Sequence, residues 1–301
     1  MKVGIVGAGT MGRLHARVYR ELGVDLVGVA DIDHKVAEEI AHMYETNAFD
    51  NYEHLLEQGL DAVSIATPTW SHNEIALKAI SRNINLLIEK PITDTVGKAE
   101  EIISQARSSH IVLMVGHVER FNPTVTKLKE IIGEGILGDL ITLSARRVGP
   151  FVERVKDVGI ITDIGTHDID IARYLVGTEP VEAFGRLRGI KHRKGDCAFI
   201  ILDFENVTAS IEINWFTPHK VRGLVVTGTK GIAYADYMEQ IITIYNSGWK
   251  MEPKIEKDEP LRVELKHFLE CVKEGKEPLI TGEDGLKTLE IALKIEKTAF
   301  K

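Results

Sequence analysis

Cysteine is nearly missing from this sequence: Cys197 and Cys271 are the two present in 301 residues, and neither belongs to a CxxC pair. That excludes a disulfide framework and a thiolate-based zinc site, and it suits a reducing cytoplasm. Both cysteines read as small buried hydrophobes. No apolar run approaches the ~18 residues needed to cross a bilayer. The opening stretch MKVGIVGAG turns into glycines after its sixth residue, too early for a secretory signal, and reads as a buried strand. Positive charge is also in deficit: 37 Lys and Arg against 45 Asp and Glu leave a formal charge of -8. A general nucleic-acid binder would carry a basic face instead. No tract is rich enough in Pro, Gly or Ser to act as a flexible tether, and there is no internal repeat or low-complexity segment. A cytoplasmic protein with neither a nucleic-acid nor a membrane partner is expected.

What is present is an ordinary globular balance, 44% hydrophobic and 27% charged, on a chain long enough for two domains. To about residue 120, short apolar runs (3–6, 26–30, 62–66, 85–88, 112–115) alternate with amphipathic stretches (11–22, 35–42, 74–81, 98–107). Nearly continuous apolar strands are buried on both faces, which implies a parallel sheet covered by helices. After Phe121-Asn122-Pro123 the pattern changes. Helices are expected at 124–132 and 164–176, and a strand at 140–147. Further strands follow at 181–190, 197–204, 207–215, 222–227, 232–235 and 241–245, with closing helices at 260–274 and 282–298. The fold expected is α/β: an N-terminal Rossmann doubly wound parallel sheet over 1–120, which would bind a dinucleotide, then an α+β domain over 121–301. The second domain would carry a large, mostly antiparallel open sheet for substrate binding and oligomerisation.

The first strand runs into Gly7-Ala8-Gly9-Thr10-Met11-Gly12, a GxGxxG followed at once by a helix. Gly7 permits the tight turn, Gly9 lets a pyrophosphate approach the backbone, and Gly12 lets helix and strand pack closely. The free N–H groups and positive end of that helix suit phosphate. Asp31 closes the second strand nineteen residues after Gly12, placed to accept the adenosine ribose hydroxyls. It would also repel the extra phosphate of NADP, so NAD is expected over NADP. The alternative for Asp31 is a helix N-cap. Thr67-Pro68-Thr69 closes a strand at its carboxyl end, where open α/β sheets bind ligands; an ordinary turn capped by Ser71 or Asn73 is the alternative.

Glu89-Lys90-Pro91 closes the next strand, which would direct Lys90 into the cofactor cleft, unless it is a solvated surface lysine. Asp163-Ile164-Gly165-Thr166-His167-Asp168-Ile169-Asp170 places Asp163 and His167 four apart at a helix start, on one face, with Asp170 near it. An imidazole is suited to take a proton near neutral pH. A metal would need a third strong ligand at a recognisable spacing, so no metal is expected. An N-cap for Asp163 and a solvated His167 are the plain alternatives.

These motifs, with Arg120-Phe121-Asn122-Pro123, occur in order over residues 1 to 170, and the chain resembles the Gfo/Idh/MocA oxidoreductases. The resemblance implies an NAD-dependent dehydrogenase acting on a CH–OH group. Its catalytic residues would be Lys90, His167 and Asp163. Its cofactor residues would be Gly7 to Gly12, Asp31, Thr67, Pro68, Glu89 and Lys90, and its substrate residues Lys90, Arg120, Asn122, Arg147, Asp163 and His167. Val158-Gly159-Ile160-Ile161 departs from the glycine-rich run of many relatives. Residues 116–123 are most similar to relatives acting on nucleotide-linked amino sugars, UDP-N-acetylglucosamine 3-dehydrogenases among them. Arg146, Arg147, Arg154 and Lys156 would then meet a diphosphate, or form a solvated charged strand. A free sugar or inositol is the alternative substrate; transient-oxidation glycosidase or lyase chemistry and a non-catalytic sensor are the alternative classes. The family also implies a homodimer or homotetramer through the open sheet face, with Ile211, Ile213, Trp215 and Phe216 as its surface, unless helices of the same chain cover that face.

Overall fold

The computed structural model describes residues 1–151, 159–191 and 195–299. Arg154, Lys156 and Val158 lie outside the described residues. Two compact units are present. The first comprises Met1–His117 with Leu261–Leu289; the second comprises Val118–Pro260 and the chain from Glu290.

In the first unit six parallel strands are ordered β3-β2-β1-β4-β5-β6. They are β1 (Lys2–Val6), β2 (Asp25–Ala30), β3 (Asn47–Phe49), β4 (Ala62–Ile65), β5 (Asn85–Glu89) and β6 (Leu113–Gly116). The reversal of order beside β1 opens the crevice where such sheets take ligands. Val3, Ile5, Val63, Ile65, Leu87 and Ile88 are all fully buried, as strands covered on both faces must be. The crossovers are α1 (Thr10–Glu21), α2 (His34–Tyr44), α3 (Tyr52–Leu56), α4 (His72–Ile80) and α5 (Val96–Ser108). Short β3 and α3 are additions to the elements expected from the sequence. Two later helices also contribute: α8 (Pro260–Glu274) and the first half of α9 (Gly282–Ala299). Gly282 and Gly285 let α9 approach Leu113 and Val115, where a Cβ would come within 2.7 Å of those side chains.

The second unit is built on an eight-stranded open sheet ordered β14-β13-β12-β11-β7-β10-β9-β8. Its strands are β7 (Leu140–Pro150), β8 (Glu182–Arg188), β9 (Cys197–Asp203), β10 (Thr208–Asn214), β11 (Phe216–Gly228), β12 (Ile232–Asp236), β13 (Ile241–Tyr245) and β14 (Lys250–Met251). Pairing is antiparallel except for β7 with β10. α6 (Pro123–Gly133) starts with Asn122 as N-cap and Pro123 in its first turn, and α7 (Thr166–Val176) stops at Gly177 in the left-handed region, φ 84°.

One sheet face carries the core: Leu143, Ala145, Ile200, Leu202, Ile211, Ile213, Leu224 and Val226 are buried with Ile169 and Leu175 of α7. Ile211, Ile213 and Trp215 therefore do not form the open surface expected of them, because they point into the core and are at most 7% exposed. The opposite face is open and carries Phe184, Phe199, Ile201, Tyr234 and Tyr245. Among the described residues no helix is long and apolar enough to cross a membrane.

Candidate functional site

In the first unit the β1–α1 turn is fitted to a phosphate group. Gly7 has φ 101°, and a Cβ on it would stand 2.6 Å from the Ala66 carbonyl. A Cβ on Gly12 would collide with the Gly7 carbonyl, so the helix can sit this close only without a side chain there. Gly9 meets nothing within 4 Å, leaving open the space a pyrophosphate would need. The N-cap Gly9 supplies no side-chain acceptor to α1, and no acidic residue occupies the first turn, so no side chain competes for the helix's positive end. Thr10 and Met11 lie in that first turn. These residues fit the pyrophosphate of NAD.

The Ala8 N–H donates to Asp31 Oδ2 at 2.7 Å, and the Asp33 N–H donates to Oδ1 at 2.9 Å. Asp31 thus ties the β1–α1 turn to the end of β2. It is not the cap of α2, whose N-cap is Asp33. Each carboxylate oxygen keeps a second lone pair for a ribose hydroxyl.

Thr67 and Pro68 follow β4. The Ser71 hydroxyl donates to Thr67 Oγ1 and sits 2.8 Å from the Pro68 carbonyl; it does not cap α4. His72 does what the sequence did not reveal. Its Nε2 lies 2.9 Å from the Thr67 carbonyl, and its Nδ1 lies 3.1 Å from that of Pro91 and 3.3 Å from that of Ile92. It therefore braces the Thr67-Pro68 turn against the segment after Lys90. Burial pulls its pKa below the usual imidazole value despite the carbonyls that favour the charged ring.

Lys90 follows β5 directly, and the Lys90–Pro91 peptide is cis. The preceding Glu89 turns inward, 8% exposed, with Oε1 3.0 Å from His15 Nε2 of α1. Burial would raise the Glu89 carboxyl, but the His15 hydrogen bond and the charges of His15 and Lys90 outweigh it and hold the pKa low. Beyond lies Glu264 of α8, fully buried, with neither carboxyl oxygen hydrogen-bonded among the described residues. Burial, and then the charge of Glu89, push its pKa well above the usual carboxylate range, which favours the neutral acid. A sequence signal existed: Leu261, Glu264, Leu265 and Phe268 form one buried helical stripe with an acid in it.

In the second unit, Ile161–Gly165 form a π-helical turn leading into α7, a geometry that often marks functional sites. The turn is anchored by the Asp163 N–H donating to Gly159 O at 2.8 Å and by Thr162 Oγ1 donating to Glu296 at 2.5 Å. Asp163 and His167 are half-buried, whereas Asp168 and Asp170 are sealed. Arg147 Nε and Nη2 donate to Asp168 at 2.6 and 3.1 Å, and its Nη1 donates to Glu119 at 2.7 Å. Burial opposes the Arg147 charge, but Asp168 and Glu119 more than offset it, so its pKa is raised. Arg120 Nε and Nη2 donate to Asp170 at 2.7 and 2.6 Å, with the Tyr174 ring 5.0 Å beneath.

Asn122 accepts the Thr124 N–H and donates to the Tyr237 carbonyl. Arg120, Asn122 and Arg147 thus make internal bonds that hold α6 and α7, and each is at most 4% exposed. Arg146, one residue along β7, points to the other face and pairs with Glu212, so it cannot share a ligand with Arg147. No group of three or more potential metal ligands occurs among the described residues.

Comparison with known proteins bears on the whole chain. Residues 1–117 match the oxidoreductase family with an NAD-binding Rossmann fold, and residues 125–234 match the GFO/IDH/MocA C-terminal domain. A UDP-N-acetylglucosamine 3-dehydrogenase of Acidithiobacillus ferrooxidans is 29% identical over 98% of this chain and 96% of its own. A scyllo-inositol 2-dehydrogenase (NAD(+)) of Bacillus subtilis is likewise 29% identical, over 97% of this chain and 92% of its own. A solved structure of UDP-N-acetylglucosamine 3-dehydrogenase from A. ferrooxidans superimposes with a TM-score of 0.92 at 28% identity, covering 99% of this chain and 97% of that one. With the phosphate turn, Asp31 and the open eight-stranded sheet in place, the chain belongs to the Gfo/Idh/MocA family of NAD-dependent oxidoreductases.

Proposed function

We propose that this enzyme oxidises a ring secondary hydroxyl of a nucleotide-linked amino sugar, in the manner of the UDP-N-acetylglucosamine 3-dehydrogenases. The observation that carries the reading is end-to-end similarity, in sequence and in backbone, to such an enzyme. Equal identity to a scyllo-inositol dehydrogenase supports a second reading, a free cyclic polyol as substrate.

In this proposal an imidazole nitrogen of His167 takes the hydroxyl proton. The Lys90 ammonium hydrogen-bonds the same oxygen and stabilises the negative charge that grows on it. Asp163, four residues before His167, orients the pair. NAD, which Gly7 to Gly12 and Asp31 would hold, would supply the acceptor for the hydride of the carbinol carbon. Asp31 reads the ribose and disfavours a 2′-phosphate, which makes NAD the preferred form.

A homo-oligomer completes the proposal. Phe199 and Phe184, 57% and 53% exposed, with Ile201, Tyr234 and Tyr245 make an apolar open face suited to a second copy of the chain.

The test is reduction of NAD by purified protein offered UDP-N-acetylglucosamine in one reaction and myo-inositol in another. Signal with the nucleotide sugar supports the proposal; signal with the polyol alone replaces the substrate and keeps the chemistry. No signal with either, NAD being bound, refutes both in favour of transient oxidation or sensing.

A further inference from the structure

Arg222 has no part in the roles assigned above, yet its surroundings are unusual. The register of β11 against β7 sets it opposite Arg147, on the covered face of the sheet with Leu224 and Val226. Its Nη1 donates to the carbonyls of Val148 at 2.8 Å and Val221 at 2.9 Å. Among the described residues no carboxylate lies within ion-pair distance of it. The nearby acids Asp168 and Glu119 are already bonded to Arg147.

The charged groups acting on Arg222 are Arg147, which repels it, and Asp168, Glu119 and Asp163, which attract it. Burial first, and Arg147 second, outweigh those attractions, so its charge is less favoured than that of an exposed arginine. The guanidinium is only half-buried, and Nε and Nη2 remain as donors. Tyr237 is the next residue bonded to this point, its N–H donating to the Arg222 carbonyl. The Tyr237 hydroxyl is buried and has no hydrogen-bond partner among the described residues. A half-buried cation, short of an anion and with donors unspent, is the requirement of a phosphate site.

We propose that Arg222 is an anion subsite of the second unit and binds the diphosphate of a nucleotide-linked sugar. The identity of the anion rests on the proposed substrate class; the existence of the subsite does not. Gly165 of the π turn before α7 packs against Ile213 and Ile200 of the covered sheet face, the face that Arg222 shares with Leu224 and Val226. An anionic tail held there would anchor a substrate whose ring reaches Asp163 and His167.

The experiment is calorimetric titration of NAD-saturated protein with inorganic pyrophosphate, so that the phosphate turn of the first unit is already filled. Wild type, Arg222→Met and Arg222→Lys are compared, with NAD affinity and the unfolding temperature confirming that each variant is folded. Pyrophosphate affinity is expected to fall roughly 10- to 100-fold in Arg222→Met. Arg222→Lys should lie between, because an ammonium keeps the charge but not the fork. Absence of pyrophosphate binding to wild type, or equal affinity in Arg222→Met, overturns the subsite. Turnover of UDP-N-acetylglucosamine by wild type is measured separately. Its failure would overturn the substrate assignment, while the titration alone decides Arg222.

Discussion

Replacing Arg147 by methionine separates the two roles this residue was open to, a diphosphate contact or an internal brace. The substitution keeps most of the side-chain volume but removes five N–H donors. Asp168, 2% exposed, and Glu119 lose an ion pair each, at 2.6 and 2.7 Å. Breaking a buried pair by deleting one partner costs about 3–5 kcal/mol, because the remaining charge stays desolvated. Glu119 reaches some solvent and recovers part of its share, so the loss is placed near about 3 kcal/mol. Urea unfolding followed by far-UV circular dichroism reads this from the shift in midpoint at constant slope. A second substitution, Asp168→Leu, removes the stranded carboxylate and is expected to return at least half of the loss, a coupling that a double-mutant cycle isolates. NAD affinity, a property of the first unit, is expected to be unchanged. A loss below about 1 kcal/mol, the range of an exposed pair, would refute the reasoning and restore Arg147 as a ligand contact.

Three further outcomes are expected. Asp31→Ser should narrow the preference for NAD over NADP by roughly 10-fold or more, since a charged acceptor is lost and its repulsion of a 2′-phosphate disappears; an unchanged ratio of dissociation constants would count against Asp31 as the ribose reader. Glu264→Gln tests the buried acid and the direction of its pKa shift. Its pKa is raised in the fold, so its favourable contribution is complete below the usual carboxylate range and is lost as pH rises through the folded value. The stability of the glutamine variant relative to wild type should therefore rise as pH rises above the usual carboxylate range, and a difference independent of pH would contradict the assignment. Gly7→Ala forces a Cβ to 2.6 Å from the Ala66 carbonyl at φ 101°. It should cost about 1–3 kcal/mol and weaken NAD binding, whereas normal NAD affinity would show that the turn has room to spare.

The Rossmann half was legible because strands buried on both faces leave near-continuous apolar runs, and because GxGxxG and Asp31 fall at fixed points on that frame. The three-residue edge strand Asn47–Phe49 carries too few residues for any pattern. Seven of the eight strands of the second sheet were readable, the two-residue Lys250–Met251 excepted, but alternation does not say which face is covered. Hence Ile211 and Ile213 were expected outside and lie inside, while Phe199 and Ile201 face out. In the motif around His167, residue types alone did not separate half-buried Asp163 from sealed Asp168 and Asp170. That division depends on Arg147 and Arg120 arriving from distant segments. For the same reason His72 and Glu264 escaped notice: a histidine bridging two turns and an acid within an apolar stripe acquire meaning only from non-local neighbours.

The central claim is that Lys90 acts on the reacting oxygen, and turnover of Lys90→Ala tests it most directly. At saturating NAD and saturating substrate, turnover is expected to fall roughly 10²- to 10⁴-fold, with NAD affinity kept within a few-fold. Near-normal turnover in a folded, NAD-binding Lys90→Ala protein would contradict the account.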